Sequence, residues 1–227
     1  MHLPVAAPQP TKLFLDSADR DAVLPWLETG LFAGVTTNPK LLHQAGWRLS
    51  QLPQIAAWVG DHEVFFQVWG DDLHSQQQAA DTILELVPSA TLKVPCTPHG
   101  ARLVRRLSDA GIRTLLTAVY SAKQMYVAAA AGATYVAPYF NRAFLAGRPV
   151  LDELERMAEI APQDGTGPMI LAASIKSAQH MVRMTSLGVR YFTISPDVAA
   201  DLFEDSLTAA AVTEFNGYMT ECLDQHP

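Results

Sequence analysis

From Lys12 onward the chain alternates short apolar runs with stretches in which apolar residues recur at every third or fourth position. The runs fall at 12–15, 34–37, 64–68, 91–95, 113–119, 134–137, 169–173 and 190–194, each the length of a buried strand. The helical stretches between them carry their own punctuation. Asp16-Ser17 is placed to cap a first helix reaching about Thr29, with Gly30 at its end. Asn38-Pro39 turns into helical segments that extend to about Val59 and are interrupted at Gly46 and Pro53. After the third run, Ala80, Ile83, Leu84 and Val87 repeat at helical spacing. Thr97 is the expected N-cap of the next helix, with Pro98 in its first turn, Gly111 beyond its end, and Ala101, Val104 and Leu107 facing inward. Ser121 is expected to cap a small-residue helix over 122–131 closed by Gly132. A loop holding Tyr139, Asn141, Arg142 and Gly147 leads to a helix over about 150–160, and 162–168 reads as loop. Ser177 starts a helix ended by Gly188, and Ser195-Pro196 opens another.

Eight successive strand–helix pairs predict an α/β chain whose parallel strands close into a (β/α)8 TIM barrel near the short end of that architecture's range. An open doubly wound sheet is the alternative. It would normally place a Gly-rich phosphate turn after the first strand, and none follows Phe14-Leu15. The barrel is expected over 12–203. Residues 1–11 carry Pro4, Pro8 and Pro10 without a basic segment, so they read as a flexible tail and not as a signal peptide. Residues 204–227 are expected to form an additional C-terminal helix with Leu207, Ala211, Phe215, Met219 and Cys222 on one face. Because eight units already close a barrel, that spare apolar face packs either on its own barrel or on a neighbouring subunit, and a homo-oligomer is expected.

Composition narrows the partners. With 227 residues, 49% hydrophobic and 17% charged, the chain supplies one sizeable core. A net charge of -7 argues against nucleic-acid and anionic-membrane partners, which select basic patches. Any phosphate must be held by a few local groups instead. No apolar run approaches the roughly 18 residues of a membrane-spanning helix. Cys96 and Cys222 make no disulfide framework, which suits a reducing cytoplasm. His2, His43, His62, His74, His99, His180 and His226 lack paired metal-ligand spacing, so no metal is expected.

Against this background Lys93 stands out, a lone lysine between Leu92 and Val94 in a run that Pro95 ends. Burying an ammonium without a partner lowers its pKa, and the free amine is a nucleophile toward carbonyls. The plainer reading is an edge-strand lysine whose stem lies on apolar surface while its head reaches water. In a barrel, chemistry lies at the carboxyl ends of the strands. There the sequence puts Asp16, Thr36, Thr37, Asn38, Gln67, Lys93, Thr117, Tyr139 and Ser174. Each has a dull explanation taken singly: a helix cap, a turn residue, a satisfied core amide, a strand threonine, a rim aromatic. The dull explanations do not account for polar groups converging on one end of so many strands around one lysine. Cys96, three residues after Lys93, is expected to point away from it and to behave as a buried, inert thiol.

Phe14-Leu15-Asp16-Ser17, Gly34-Val35-Thr36-Thr37-Asn38-Pro39, Leu92-Lys93-Val94-Pro95, Tyr135-Val136-Ala137-Pro138-Tyr139 and Leu171-Ala172-Ala173-Ser174 resemble, in that order, the signature segments of the transaldolase family. More closely they resemble its small-subunit branch of fructose 6-phosphate aldolases and short transaldolases, over about residues 12–222. The resemblance implies a (β/α)8 barrel with a Schiff-base lysine on the fourth strand and class I aldol chemistry without metal or other cofactor. It also implies ring-shaped oligomers, pentamers or decamers, bridged by a C-terminal helix. Lys93 would form a carbinolamine and then an imine with the donor ketone, and Asp16 would take the C4 hydroxyl proton as C3–C4 breaks. Asn38, Thr36 and Thr117 would orient the donor hydroxyls and Lys93. Arg142 and Ser174 would hold the distal phosphate, with Lys176 assisting.

Two positions separate the branches. Transaldolases proper resemble one another in having Glu where this chain has Gln67 and Phe where it has Tyr139, whereas the aldolase branch has the Gln and Tyr found here. A glutamine positions a water but does not shuttle protons, so the proton must come from another acid, for which Tyr139 is the candidate. The expected function is a class I aldolase interconverting fructose 6-phosphate, or a similar ketose phosphate, with dihydroxyacetone and glyceraldehyde 3-phosphate. The alternatives are a transaldolase moving the same three-carbon unit between sugar phosphates, and a barrel that binds a phosphorylated ligand without turnover.

Overall fold

Successive residues of a strand point to opposite faces, and in this chain the two faces build two separate interiors. The computed structural model describes residues 11–161 and 166–224. The strands are β1 (Lys12–Asp16), β2 (Phe32–Thr36), β3 (Glu63–Gln67), β4 (Thr91–Pro95), β5 (Thr114–Val119), β6 (Tyr135–Pro138), β7 (Met169–Ala172) and β8 (Tyr191–Ile194). Each pairs in parallel with the next, and β8 returns to β1, closing the expected barrel. The helices are α1 (Arg20–Leu27), α2 (Pro39–Gln44), α3 (Leu52–Val59), α4 (Leu73–Leu86), α5 (Pro98–Asp109), α6 (Lys123–Ala131), α7 (Phe140–Leu145), α8 (Val150–Ile160), α9 (Ala178–Ser186), α10 (Pro196–Asp201) and α11 (Ser206–Asp224). All but Thr11 of the expected tail, residues 162–165 of the expected loop and the last three positions of the chain lie outside the described residues.

Leu15, Val35, Val64, Phe66, Leu92, Val94, Leu116, Val136, Ile170, Ala172, Phe192 and Ile194 face outward, into a continuous core shared with the helices. The alternate positions Phe14, Phe65, Leu115, Tyr135, Ala137, Leu171 and Tyr191 fill the barrel itself. Phe14, Phe65 and Tyr135 meet at 5.4–6.3 Å between ring centroids and plug its middle. Lys93 shares its face with Thr91 and Pro95, opposite to Leu92 and Val94, so the alternation alone turns it inward.

Two irregularities in this alternation shape the top of the barrel. Between β1 and β2 the pairing runs Leu13 with Phe32 and then Phe14 with Gly34, skipping Ala33. Counting in twos from the outward Phe32 would send Thr36 outward; the extra residue restores it to the interior beside Asp16. Gly34 is required there, because a Cβ would lie 2.0 Å from the Glu63 carbonyl oxygen. In β5 Thr117 follows the inward Leu115 by two positions, and the register jump between Leu116 and Val119, with Ala118 at φ 57°, turns Val119 into the outer core.

Local punctuation departs from expectation at several points. The N-cap of α1 is Asp19, whose carboxylate accepts from the amides of Asp21 and Ala22; β1 runs through Asp16, which is thereby released from capping. Pro53 opens α3 in its first turn instead of interrupting a longer helix. On α5 it is Leu103, with Val104 and Leu107, that is buried, while Ala101 is only partly covered. Ser121 does not cap α6: Gln124 Oε1 accepts from the amides of Tyr120 and Ser121, and Glu153 Oε2 accepts from that of Ala122. The segment read as a loop after β6 contains the two-turn helix α7. α11 forms where expected, yet Leu207, Phe215 and Met219 on it are 79%, 63% and 56% exposed. Among the described residues no helix is long and apolar enough to cross a membrane.

Candidate active site

The carboxyl ends of the strands gather the polar side chains that the sequence singled out. Lys93 is 4% exposed, and its register partner on β3 is Gln67. Burial pushes the Lys93 ammonium below its ordinary value, and the nearby Asp16 carboxylate pulls the other way without overcoming it. Among the described residues no carboxylate reaches Lys93 within salt-bridge distance.

Asp16 sits level with Thr36 across the β1–β2 pairing. Thr36 Oγ1 donates to Asp16 Oδ1 at 2.8 Å and lies 2.6 Å from Thr193 Oγ1 on β8. Thr36 is fully buried and Thr193 is 2% exposed. The segment after Asp16 is held from outside, where Trp47 Nε1 donates to the Ala18 carbonyl at 2.7 Å.

On the opposite wall, Thr117 Oγ1 donates to the Tyr139 hydroxyl at 2.9 Å. Tyr139 also packs edge-on against Tyr120, with 5.7 Å between ring centroids, and the Arg142 guanidinium lies 5.1 Å above its ring. Burial raises the Tyr139 phenol above its ordinary value; the Thr117 hydrogen bond and Arg142 oppose this, while Asp16 and Tyr120 reinforce it. Tyr139 therefore remains a protonated acid through the neutral range. Because Thr117 donates to its oxygen, its own proton is left for another acceptor.

Asn38 caps α2, its Oδ1 accepting from the Leu41 amide at 3.1 Å, so the turn reading holds; the fixed amide keeps its NH2 group for other work. Ser174 follows β7 at φ 59°, and its carbonyl accepts from the Asn141 amide at 2.9 Å, which ties the Ser174 backbone to the helix that carries Arg142. Lys176 is exposed further along that loop, and among the described residues no hydrogen bond or ion pair links it to the cluster. Cys96 packs against the outer core, away from Lys93, with its thiol pushed up by burial. Among the described residues no group of three or more His, Cys, Asp and Glu side chains is arranged to hold a metal ion.

Thr193, Tyr120 and Trp47 escaped the sequence reading. For Thr193 the signal was available, since it follows the inward Tyr191 by two positions on β8. Tyr120 lies past a register jump, and Trp47 reaches Ala18 from 29 positions away; neither has a local signature.

The family model described as Transaldolase/Fructose-6-phosphate aldolase matches residues 13–226. A probable transaldolase of Exiguobacterium sp. strain AT1b is 31% identical over 205 residues, covering 90% of this chain and 95% of the relative. Probable transaldolases of Geobacillus thermodenitrificans and Geobacillus kaustophilus are 32% and 33% identical, each over 90% of this chain and 96% of their own length. The chain belongs to the transaldolase/fructose-6-phosphate aldolase family and is an enzyme of the aldolase/transaldolase type.

Proposed function

We propose that the protein is a class I aldolase that reversibly cleaves fructose 6-phosphate, or a similar ketose phosphate, to dihydroxyacetone and glyceraldehyde 3-phosphate. The observation that carries this reading is the buried amine of Lys93, held toward its uncharged form in the barrel's top layer and within the field of Asp16. The amine adds to the C2 carbonyl of the ketose, and loss of water leaves a protonated imine. Asp16 takes the proton of the C4 hydroxyl, the C3–C4 bonding pair moves into the imine to give an enamine, and C4 departs as an aldehyde carbonyl. Tyr139 delivers a proton to C3, the proton held by Asp16 replaces it through a water that Gln67 positions, and hydrolysis frees dihydroxyacetone from Lys93. Thr117 orients the phenol. Thr36 and Asn38 orient Asp16 and the donor hydroxyls, and Arg142, Ser174 and Lys176 take the distal phosphate.

Gln67 and Tyr139 together support cleavage over transfer, because an enamine that is protonated promptly does not wait for a second aldehyde. A transaldolase moving the same unit between sugar phosphates is the second reading, favoured by the name probable transaldolase that the relatives carry. Borohydride trapping with dihydroxyacetone or fructose 6-phosphate should add the donor's mass at Lys93; no added mass would remove both readings. Free dihydroxyacetone should then appear from fructose 6-phosphate without an acceptor, whereas a strict need for erythrose 4-phosphate would favour transfer. The uncovered apolar face of α11 supports a ring-shaped homo-oligomer, a pentamer or decamer, in which that helix packs on a neighbouring copy. The unpaired Cys96 and Cys222 suit a cytoplasmic enzyme.

A further inference from the structure

We propose that Thr193 is a positioning residue for Asp16, fixing through Thr36 the direction of the hydrogen bond that holds the carboxylate in place. The inference rests on the aldolase reading above, in which Asp16 is the base. An ionised carboxylate only accepts hydrogen bonds, so the 2.8 Å contact between Thr36 Oγ1 and Asp16 Oδ1 consumes the single proton of the Thr36 hydroxyl. The 2.6 Å contact between Thr36 Oγ1 and Thr193 Oγ1 must then run from Thr193 to Thr36. Both hydroxyls are buried away from water, at 0% and 2% exposure, so no solvent molecule substitutes for either donor.

The chain Thr193 to Thr36 to Asp16 crosses the seam where β8 meets β1 and β1 meets β2. Its consequence is a division of labour within the carboxylate. Oδ1 is engaged by the Thr36 hydroxyl, which leaves Oδ2 to take the C4 proton. Without Thr193 the Thr36 hydroxyl loses the donor that opposes its rotation, and the acceptor oxygen is no longer held at one position.

The test uses the full-length protein with fructose 6-phosphate as the cleavage substrate and dihydroxyacetone as the trapping probe. Thr193→Val removes the hydroxyl at nearly constant volume. It should lower kcat for cleavage about tenfold, the scale of one buried hydrogen bond, while borohydride trapping at Lys93 and KM stay at the wild-type level. Thr193→Ser should restore kcat. Thr36→Val should show at least that loss, and Thr36→Val combined with Thr193→Val no loss beyond that of Thr36→Val alone, because Thr193 acts only through Thr36. Trapping also reports that the barrel is folded; should Thr193→Val fail to trap, Thr193→Ala stands in its place with the same expectation.

Unchanged kcat in the folded Thr193 variants, failure of Thr193→Ser to restore it, or fully multiplicative losses in the double variant would overturn the proposal. Asp16→Asn separates this from the reading beneath it. If wild type does not trap donor, or Asp16→Asn cleaves normally, the aldolase reading itself fails; if both behave as expected and the Thr193 variants are silent, only the positioning role falls.

Discussion

The floor and the mouth of the barrel both carry buried polar side chains on inward-facing positions, and they treat them in opposite ways. At the floor, the Glu63 carboxylate accepts from Thr91 Oγ1 at 2.5 Å, from the Tyr135 hydroxyl at 3.0 Å and from Arg113 at 3.1 Å. Arg113 also donates to the Tyr135 hydroxyl and stacks over its ring. In this cluster the carboxylate faces a cation and both hydroxyls have an acceptor, the condition under which buried polar groups hold a fold together. At the mouth, Lys93 is buried with no salt bridge among the described residues. Among the described residues both non-glycine positions with positive φ, Ala118 and Ser174, also lie at that end. The difference teaches where stability ends and chemistry begins: a satisfied network has nothing left to offer a substrate, and an unsatisfied one costs stability until a substrate completes it.

The sharpest test of the contrast is Lys93→Met. Imine trapping and cleavage should disappear, since the buried amine that adds to the carbonyl is gone and Lys176 at the rim is exposed, while thermal unfolding should move upward because a costly buried amine is replaced by an apolar chain of similar length. The sign with pH follows from the lowered value. Between that value and the ordinary 10.5, the unfolded chain binds one proton more than the folded one, so wild-type stability falls as pH falls. The slope is about 1.4 kcal/mol per pH unit, and below the lowered value it vanishes. The advantage of Lys93→Met should therefore grow as pH drops from 10.5 and then level off. Denaturant melts across pH would break the comparison if the two proteins kept parallel curves.

Tyr139→Phe comes next in size. Removing the acid should slow release of free dihydroxyacetone about a hundredfold, with a smaller loss in transfer to an added aldehyde, because transfer does not need C3 protonated. Equal losses in both rates would assign Tyr139 to binding.

Glu63→Gln addresses the opposite end. Losing the charge should cost about 1–3 kcal/mol of stability, the scale of hydrogen bonds to an ionised group, and leave trapping at Lys93 intact. A drop in trapping without a drop in stability would mean that the floor communicates with the mouth and that the division drawn above is wrong. The floor is also the part that was hardest to see in the sequence. Glu63, Thr91, Arg113 and Tyr135 belong together only once β3, β4, β5 and β6 are known to be adjacent and in register. The mouth was more legible: Lys93 inside an apolar run, Asp16, Gln67 and Thr117 at strand ends, and the strand count that closes a barrel. What failed there failed for one physical reason. Pairing irregularity hides what the ladder does: Tyr120 lies past the register jump at Ala118, and a polar residue at a strand end looks like a cap until the ladder is seen to run through it, as β1 does at Asp16. Thr193 is different, since the alternation of β8 was regular and needed only to be followed.

Ser174→Gly carries the smallest stability effect and discriminates most finely. A serine at φ 59° pays about 1 kcal/mol in backbone strain that glycine would not. Glycine loses about as much through the greater freedom of the unfolded chain, so stability should stay within about 0.5 kcal/mol of wild type. The strain is therefore cheap to remove and has to be maintained by the side chain's use. If that use is the distal phosphate, KM for fructose 6-phosphate should rise several-fold in Ser174→Gly, while KM for unphosphorylated fructose stays where it was. Should both substrates be affected alike, the hydroxyl orients the loop and not the anion. An unchanged KM with a gain of more than about 1 kcal/mol would show that the mouth stores strain for no chemical return, leaving the contrast with the floor to rest on Lys93 alone.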